Sequence, residues 1–299
     1  MKYILTLDQG TTSSRAMLID ESGEVIGSAQ KEFQQLFPHP GWVEHDPNEI
    51  WTSQFSVLKE VLKNNRIAVN SIASIGITNQ RETTIAWNAE TGEPVCNAIV
   101  WQDKRTSDYC DHLKKQGWSE RIQKKTGLVI DSYFSATKMR WILEHVEEAK
   151  KLAKNKNLRM GTVDSWLMFK LSNGEFHKTD HSNASRSLLF NIHTLDWDNE
   201  LLDLFGVPRH CLADVLPSIG DYGKVSINNE MVPIGGVAGD QQAALYGQMC
   251  FEKGDVKNTY GTGCFMLMNT GTKPHLSSVG MLSTIAWSHG DHVQYALEG

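Results

Sequence analysis

The sequence contains four short segments whose residue types could carry chemistry, and the first is residues 8–15, Asp-Gln-Gly-Thr-Thr-Ser-Ser-Arg. A glycine, several hydroxyls and consecutive backbone N–H groups in a tight turn form a concave donor site for an anion, and Asp8 could hold a metal ion that neutralises phosphate oxygens. This pattern predicts a phosphate-binding loop, although a polar hairpin turn accounts for it equally well. No Walker sequence, Gly-x-x-x-x-Gly-Lys-Ser/Thr, occurs in the chain.

The second segment is Gly239-Asp240-Gln241-Gln242, where a predicted strand ends and a predicted helix begins. Ligands of open α/β sheets bind at that edge, and a carboxylate there can orient and deprotonate a hydroxyl nucleophile. Asp240 is therefore a candidate base. Taken alone, however, a role for Asp240 as the N-cap of the helix is the favoured explanation.

The third segment, residues 259–265, has two glycines around Thr262. Such a turn lets the backbone approach a phosphate closely. A plain β-turn has the same composition, so this segment is a weak signal by itself.

The fourth segment is Gln80-Arg81-Glu82, taken together with Trp101. A guanidinium and a carboxylate side by side at a strand end can hydrogen-bond the neighbouring hydroxyls of a polyol. A surface ion pair is the commoner reason for an isolated Arg-Glu pair, and a tryptophan lies in a core more often than against a ligand.

Composition restricts the classes of partner. Of the 299 residues 40% are hydrophobic and 21% are charged, and the formal net charge is −6. Nucleic acids and anionic membranes bind basic surfaces, so neither is expected as a partner. The N-terminal apolar run is too short for a signal peptide and no run could span a bilayer, which predicts a cytoplasmic protein. The five cysteines form no C-x-x-C pair, so neither disulfides nor a zinc site are expected.

Hydrophobic periodicity predicts the elements that hold these segments. Residues 3–7, 16–19 and 25–33 predict three antiparallel strands, and residues 46–62 predict a helix with Asp46 as its N-cap. Further predictions are a strand over 72–78, a hairpin of 83–87 with 98–101, helices over 104–125 and 135–155, short helices between 161 and 216, a strand over 232–237, a helix over 241–250 and strands from 256 onward. Because the sequence stops within a predicted sheet, we expect a truncated chain.

Taken together, the segments resemble the glycerol kinases in their amino-acid sequences and in their order along the chain. The passages that carry the resemblance are residues 7–15, 40–47, 76–84, 183–186, 190–198, 238–245 and 257–271, so it covers nearly the whole chain. Asn-Gln-Arg-Glu-Thr-Thr, residues 79–84, is specific to glycerol kinases within the wider carbohydrate kinase family, since it belongs to the polyol pocket rather than to the shared ATPase frame.

The resemblance implies an α/β fold: a ribonuclease-H-like (actin-like ATPase) domain with a mixed sheet over residues 1–248, then the opening strands of a second such domain over residues 249–299. The active site would lie in the cleft between the two domains. The enzyme would transfer the γ-phosphoryl group of Mg-ATP to a terminal hydroxyl of glycerol, forming sn-glycerol 3-phosphate. Glycerol and ATP or ADP would be its ligands, ATP and Mg²⁺ its cofactors, and the full-length enzyme would be a homo-oligomer.

Carried over position by position, the resemblance also implies a role for each site residue. The glycerol hydroxyls would be bound by Arg81, Glu82, Tyr133, Asp240 and Gln241, with Asp240 as the base, and the carbon chain would pack on Trp101 and Phe265. The nucleotide phosphates would contact Thr11, Thr12, Ser13, Arg15 and Thr262, and Asp8 would lie near Mg²⁺.

Two alternatives stay open. A pentulose or gluconate kinase of the same family would share the phosphate loops but would lack Arg81 and Glu82 in this setting. The other alternative is an actin-like or chaperone-like ATPase module, or a regulatory protein that only senses glycerol, and nucleotide turnover independent of any polyol would favour it. The family's adenosine-binding segment would lie beyond Gly299, so the chain is expected to bind nucleotide poorly.

Overall fold

The computed structural model describes residues 1–260, 263–278 and 280–299. The described residues form eighteen strands and nine α-helices. The strands are β1 Tyr3–Gln9, β2 Ser13–Ile19, β3 Val25–Glu32, β4 Glu44–His45, β5 Ile72–Asn79, β6 Ile85–Asn88, β7 Ala98–Ile99, β8 Leu158–Gly161, β9 Lys178–Asp180, β10 Phe190–Asn191, β11 Asp196–Trp197, β12 Asp214–Leu216, β13 Lys224–Ile227, β14 Glu230–Gly239, β15 Val256–Tyr260, β16 Cys264–Gly271, β17 Leu282–His289 and β18 His292–Glu298. The helices are α1 Pro47–Asn64, α2 Ser107–Lys115, α3 Ser119–Thr126, α4 Ser135–His145, α5 Glu147–Lys154, α6 Val163–Leu171, α7 His181–Ala184, α8 Asn199–Phe205 and α9 Asp240–Gly247.

The largest sheet has six strands in the order β13-β14-β5-β1-β2-β3. The antiparallel arrangement of β1, β2 and β3 is confirmed, whereas β1 and β14 both run parallel to β5. Alternate side chains of β1 and β2, among them Leu5, Leu7, Ala16 and Leu18, are buried in the core. The sheet is therefore mixed, with the period-two burial expected of strands that have one face on a core.

Helix α1 covers that face of the sheet. Its N-cap is Asp46, as predicted, and the Asp46 carboxylate accepts a hydrogen bond from the Asn48 backbone N–H at 2.8 Å. Apolar residues at helical spacing, including Ile50, Val57 and Val61, are fully buried against β2 and β3. The N-cap thus sets where α1 begins, and the buried apolar face sets which side of α1 packs on the sheet.

Parallel pairing brings three strand ends together. Gln9, the last residue of β1, lies beside Asn79, the last residue of β5, and Asn79 lies beside Gly239, the last residue of β14. The segments that begin at Gly10, Gln80 and Asp240 therefore leave the sheet at one common edge, the position where α/β sheets bind ligands.

A second, antiparallel sheet has the order β15-β16-β18-β17. Helix α9 contacts β14 and β5 of the first sheet and β15, β16 and β17 of the second. In register, Glu298 at the end of β18 lies beside Leu267 of β16 and Leu282 of β17. The second sheet thereby contributes side chains to the same edge of the first.

Two local predictions were wrong, and a third was incomplete. The helix predicted over residues 104–125 is divided into α2 and α3, because Gly117 takes a φ of 83° that ends the first helix. The helix predicted over 135–155 is divided at Val146, whose backbone is extended. The predicted hairpin forms, with antiparallel bridges between Thr84 and Ile99 and between Trp87 and Pro94. In addition, β6 pairs with β8 and β7 pairs with β4, which are strands distant in sequence.

Over the residues that the structure describes, no helix is both long enough and apolar enough to span a membrane.

Candidate active site

A cavity of about 180 Å³ opens at the edge where β1, β5 and β14 end. It is smaller than the ~300–1,000 Å³ of pockets for drug-sized ligands, so it suits a molecule of few atoms. Its lining combines residues from all three strand ends with residues of the second sheet: Thr11, Thr12, Arg81, Glu82, Trp101, Tyr133, Asp240, Gln241, Thr259, Gly263 and Phe265. All of them except Thr259 and Gly263 are site residues predicted from the sequence.

Arg81 and Glu82 form the floor of the cavity as half of a closed ring of alternating charges. Arg81 donates from Nη1 and Nη2 to Oε2 and Oε1 of Glu298 at 2.6 and 2.9 Å. Arg186 donates from Nε to Glu82 Oε1 at 2.6 Å and from Nη2 to Glu298 Oε1 at 3.1 Å. Arg81 Nε, 3.9 Å from Glu82 Oε1, closes what we call the charge ring. All four side chains are at most 4% exposed.

Electrostatics holds the arginines and Glu298 in their charged forms. Burial alone would raise the pKa of Glu298, but Arg186 and Arg81 lower it to about 2. Burial alone would lower the pKa of Arg81, but Glu298, Tyr133 and Glu82 raise it well above its usual value. With two positive and two negative side chains, the charge ring presents fixed donors and acceptors without requiring a charged ligand.

The backbone at Glu82 is in the left-handed region, with a φ of 60°. This conformation is uncommon for a residue with a side chain and costs on the order of 1 kcal/mol or more. It is held by neighbours: the Glu82 carbonyl accepts hydrogen bonds from the hydroxyls of Thr84 and Ser135, each at 3.1 Å. Held strain of this kind clusters at functional sites, which agrees with the position of Glu82 in the cavity wall.

Asp240 lies between the charge ring and the loop after β1. It is the first residue of α9, whose N-cap is Gly239, so capping does not account for Asp240. Its Oδ1 lies 3.4 Å from Arg81 Nε and accepts from the Gln241 backbone N–H at 2.8 Å, while 35% of the side chain is exposed. Desolvation by the surrounding protein, with the negative charges of Glu82 and Asp8, raises the pKa of Asp240 to about 6 against the opposing effect of Arg81. The carboxylate could therefore accept a proton near neutral pH.

Three aromatic rings form the apolar wall above this polar floor. The Trp101 ring centroid lies 5.6 Å from that of Tyr133 and 6.1 Å from that of Phe265, both in edge-on geometry. Trp101 Nε1 donates to the Thr11 hydroxyl at 3.0 Å, and Tyr133 accepts from Arg81 Nη2 at 3.2 Å. A wall of rings opposite paired charges matches a short carbon chain that carries hydroxyls.

The loop between β1 and β2 forms another side of the cavity. Thr11 and Thr12 line it, and the Gly10 backbone N–H donates to the Ser13 carbonyl at 2.9 Å, which closes a tight turn. A Cβ on Gly10 would lie 3.3 Å from the Ser13 carbonyl oxygen, so this turn is crowded. The turn therefore directs two threonines at the place where Asp240 lies.

The remaining residues of the predicted phosphate-binding loop lie outside the cavity lining. Arg15 donates from Nη2 to Asp8 Oδ2 at 2.6 Å, and the two side chains are 44% and 22% exposed. The Ser13 hydroxyl accepts from Gln30 Nε2 at 2.9 Å. Asp8, Ser13 and Arg15 are thus close in sequence to Thr11 and Thr12 but do not form the cavity wall.

The third predicted segment is described in part. Thr262 lies outside the described residues, whereas Gly263 lines the cavity. A Cβ on Gly263 would approach the Phe265 ring to 2.6 Å. A glycine is therefore required for the backbone to pass beside this ring.

Sequence reasoning also missed three residues that contact the lining: Arg186, Glu298 and Lys257. Lys257 donates from Nζ to the Thr259 hydroxyl at 2.9 Å, directly behind the lining. Arg186 lies in the Asn-Ala-Ser-Arg passage, but its partners Glu82 and Glu298 are 104 and 112 residues away in sequence. Periodicity and local motifs carry no signal for pairings of that range.

The donor set was compared with the needs of a divalent cation. Among the described residues no group of three or more His, Cys, Asp or Glu is placed to hold a metal ion. Mg²⁺ requires only one or two carboxylates when water and phosphate supply its other ligands. Asp8 and Asp240 are close enough to interact electrostatically, so these two carboxylates fit a hydrated Mg²⁺.

Comparison with known proteins gives a consistent result. A family model described as the N-terminal domain of the FGGY family of carbohydrate kinases matches residues 3–247. The chain is 58% identical over 300 residues to the glycerol kinase of Paraburkholderia phymatum and 59% identical over 300 residues to that of Burkholderia ambifaria. Each match covers 100% of this chain but 60% of the relative, so the chain spans less than two thirds of the length of these enzymes.

Solved structures give the same fold. The crystal structure of Plasmodium falciparum glycerol kinase with ADP superimposes with a TM-score of 0.95 at 38% identity, over 100% of this chain and 61% of that one. The xylulose kinase of Rhodospirillum rubrum superimposes with a TM-score of 0.87 at 21% identity, over 100% of this chain and 60% of that one. The predicted α/β fold of the ribonuclease-H-like (actin-like ATPase) class, with a mixed sheet, is confirmed.

Proposed function

This chain belongs to the FGGY family of carbohydrate kinases, and from that premise we propose that it supplies the alcohol-binding and phosphate-binding part of an ATP-dependent glycerol kinase. The proposed reaction is in-line transfer of the γ-phosphoryl group of ATP to a terminal hydroxyl of glycerol, with sn-glycerol 3-phosphate as product. The proposal is supported by the 58% identity to a glycerol kinase over the whole of this chain.

The observation that carries the proposal is the pairing of Arg81 with Glu82 beneath the aromatic wall. Both side chains are held by buried partners. Both residues line a small cavity, and Arg81 Nε and Glu82 Oε2 are the donor and the acceptor that are not used in hydrogen bonds to these partners. Adjacent hydroxyls of a polyol can donate to Glu82 and accept from Arg81, while Trp101 and Phe265 cover the carbons. Tyr133 and Gln241 add polar groups at the sides of the same cavity.

Asp240 is the proposed base. With a pKa raised to about 6 it is mostly ionised at neutral pH and remains basic enough to accept a proton from the attacking hydroxyl. Its position beside Arg81 orients the carboxylate toward the polyol site. Because phosphoryl transfer depends mainly on alignment and charge neutralisation, one carboxylate suffices for the proton.

The nucleotide phosphates are proposed to bind at the mouth of the site, with Thr11, Thr12, Ser13 and Arg15 on one side and Thr262 on the other. Thr11 and Thr12 already face the cavity, and the side chain of Arg15 is 44% exposed. Asp8, with Asp240 near it, would hold a hydrated Mg²⁺. ATP would supply the phosphoryl group and Mg²⁺ would neutralise the charge on its oxygens.

The division of the chain follows from the same proposal. Residues 1–248 would form the glycerol-binding and phosphate-binding domain, and residues 249–299 would be the first strands of the nucleotide-binding domain. The separate sheet of β15 to β18 supports this boundary. The adenosine site would belong to the part of the relatives that this chain does not span.

Two measurements test the function. Titration calorimetry of the 299-residue chain with glycerol, D-xylulose and D-gluconate should give saturable heat with glycerol alone. ADP release should depend on glycerol in a chimera that continues from residue 299 with the corresponding segment of the Paraburkholderia phymatum enzyme. Preference for a sugar would favour a pentulose or gluconate kinase, and ADP release that is indifferent to every polyol would favour an ATPase module.

A further inference from the structure

Lys257 lies behind the cavity wall, on β15, with its side chain 1% exposed. Its Nζ donates to Oε1 of Gln241, to the Thr259 hydroxyl at 2.9 Å and to the Phe265 carbonyl at 3.5 Å. These acceptors come from α9, β15 and β16, and all three residues line the cavity. One buried ammonium group therefore connects three parts of the wall.

The chemistry of the ammonium group decides which way the Gln241 carboxamide faces. A protonated lysine has three donors and no acceptor, so only the oxygen end of a carboxamide can face it. Three donors meet three acceptors at Lys257. With Oε1 of Gln241 directed at Lys257, the Nε2 end is left for the cavity. Asp240, whose carboxylate is an acceptor only, lines the same cavity.

We propose that Lys257 is a positioning residue that fixes the Gln241 carboxamide with its donor end toward the alcohol. One substrate hydroxyl would then donate to Asp240 and accept from Gln241 Nε2, so the pair would select a group that is both donor and acceptor. This inference rests on the proposed function, because it concerns how the same cavity recognises an alcohol.

The electrostatic surroundings make the orientation sensitive to pH. Arg81, Glu298, Asp240 and Cys250 face Lys257 from the elements packed around it. Burial, together with the positive charge of Arg81, lowers the pKa of Lys257 to about 8 against the opposing effect of Glu298. A neutral amine has a lone pair and can accept a hydrogen bond. Above about pH 8 the carboxamide is therefore free to reverse, and its donor is lost from the cavity.

The test is the affinity of the 299-residue chain for glycerol, measured by titration calorimetry from about pH 7 to about pH 9.5. The wild-type chain should bind glycerol about five- to tenfold more weakly at the upper end, the loss expected when one hydrogen bond is misdirected. Lys257→Met should bind about tenfold more weakly at pH 7 and show no further loss as the pH rises. The matched control is Lys253→Met, which removes an exposed lysine four residues earlier and should keep the wild-type profile.

Lys257→Arg provides a second readout should the methionine variant not fold. An arginine stays protonated and donor-only throughout this range, so its affinity profile should be flat. The inference is overturned if the wild-type profile is already flat, if Lys257→Met retains wild-type affinity at pH 7, or if Lys257→Arg keeps the alkaline loss. A wild-type chain that binds no glycerol at any pH overturns the proposed function and the inference with it, whereas the preceding outcomes leave the proposed function intact.

Discussion

The two sides of the cavity are built in opposite ways. In the charge ring each of Arg81, Glu82, Arg186 and Glu298 has opposite charges within 4 Å and is at most 4% exposed. In the segment of residues 8–15, the guanidinium of Arg15 has one carboxylate partner and remains 44% exposed. The charged groups of one side are paired with each other inside the protein, whereas the charged groups of the other side are exposed to solvent.

The difference follows from what each side is proposed to bind. A neutral alcohol brings no charge, so its site must contain donors and acceptors that are already in place and shielded from water. A phosphate brings its own charge and can replace Asp8 as the partner of an exposed arginine at little cost. The buried side should therefore matter for both stability and binding, and the open side for binding alone.

Asp240 touches both sides, and changing it should produce the largest effect. Asp240→Asn keeps the shape of the side chain and removes the base, so turnover in the chimera should fall by about 10²- to 10⁴-fold while glycerol binding is kept. The measurement is the glycerol-dependent rate of ADP release beside calorimetry of glycerol binding. Near-normal turnover would remove Asp240 from the role of base.

The unfolding temperature of Asp240→Asn shows whether its loss of turnover comes from damage to the fold. Because the folded state raises the pKa of Asp240 above its usual value, the ionised carboxylate costs the folded state free energy at pH 7. Asp240→Asn should therefore unfold at the same temperature as the wild-type chain or a higher one. A lower melting temperature would mean that lost turnover reports damage to the fold.

Breaking the charge ring should produce the next largest effect, this time on stability. Glu298→Gln or Arg186→Met leaves a buried charge without its partner, so the free energy of unfolding should fall by about 3–5 kcal/mol, measured in urea. The double variant leaves one positive and one negative side chain, so its loss should be smaller than the sum of the two. Arg121→Met is the control, because Arg121 is 60% exposed in its pair with Glu200. A ring variant as stable as Arg121→Met would contradict the proposed difference in stability between the buried and the exposed side of the cavity.

Much of the fold could be predicted because its signals are local. The alternation in β1 to β3 and the cap of α1 at Asp46 each lie within a few residues of the element they define. The breaks at Gly117 and Val146 were missed because the apolar spacing continues across both positions. The partners of β6 and β7 were missed because the bridge at Thr84 satisfies the local hairpin pattern, while the full ladders form with β8 and β4.

The residues of the site likewise divide into those that local sequence predicts and those that it does not. Arg81, Glu82 and Asp240 could be predicted because each follows a strand, and the parallel register then brings the strand ends together. Glu298 could not, because it meets Arg81 across 217 residues of sequence and its local sequence indicates only a strand. Short sequence motifs predict the side chains that face a ligand. The residues that hold those side chains in place are found from the packing of the structure.

The pH dependence of turnover tests whether the surroundings of Asp240 raise the pKa of its carboxylate. Asp240 must be unprotonated to accept a proton, and its pKa is raised to about 6, so activity should be full above about pH 7 and fall about tenfold per unit below about pH 6. An unshifted carboxylate would keep activity down to about pH 4. The check is the rate of the chimera with saturating glycerol and ATP, and the residual activity of Asp240→Asn should lack this acid limb.

The smallest effect on stability is expected on the open side. Arg15→Met removes an exposed ion pair with Asp8, so the free energy of unfolding should fall by less than about 1 kcal/mol. The same variant should raise the KM for ATP in the chimera by about tenfold, because a charged hydrogen bond to phosphate is lost, and should leave glycerol affinity unchanged. The free energies of unfolding of Arg15→Met and Glu298→Gln are measured in urea under the same conditions, which compares the two sides directly. If Arg15→Met lost as much stability as the ring variant, the loop would be part of the folded scaffold, and the view of an open side that a ligand completes would fail.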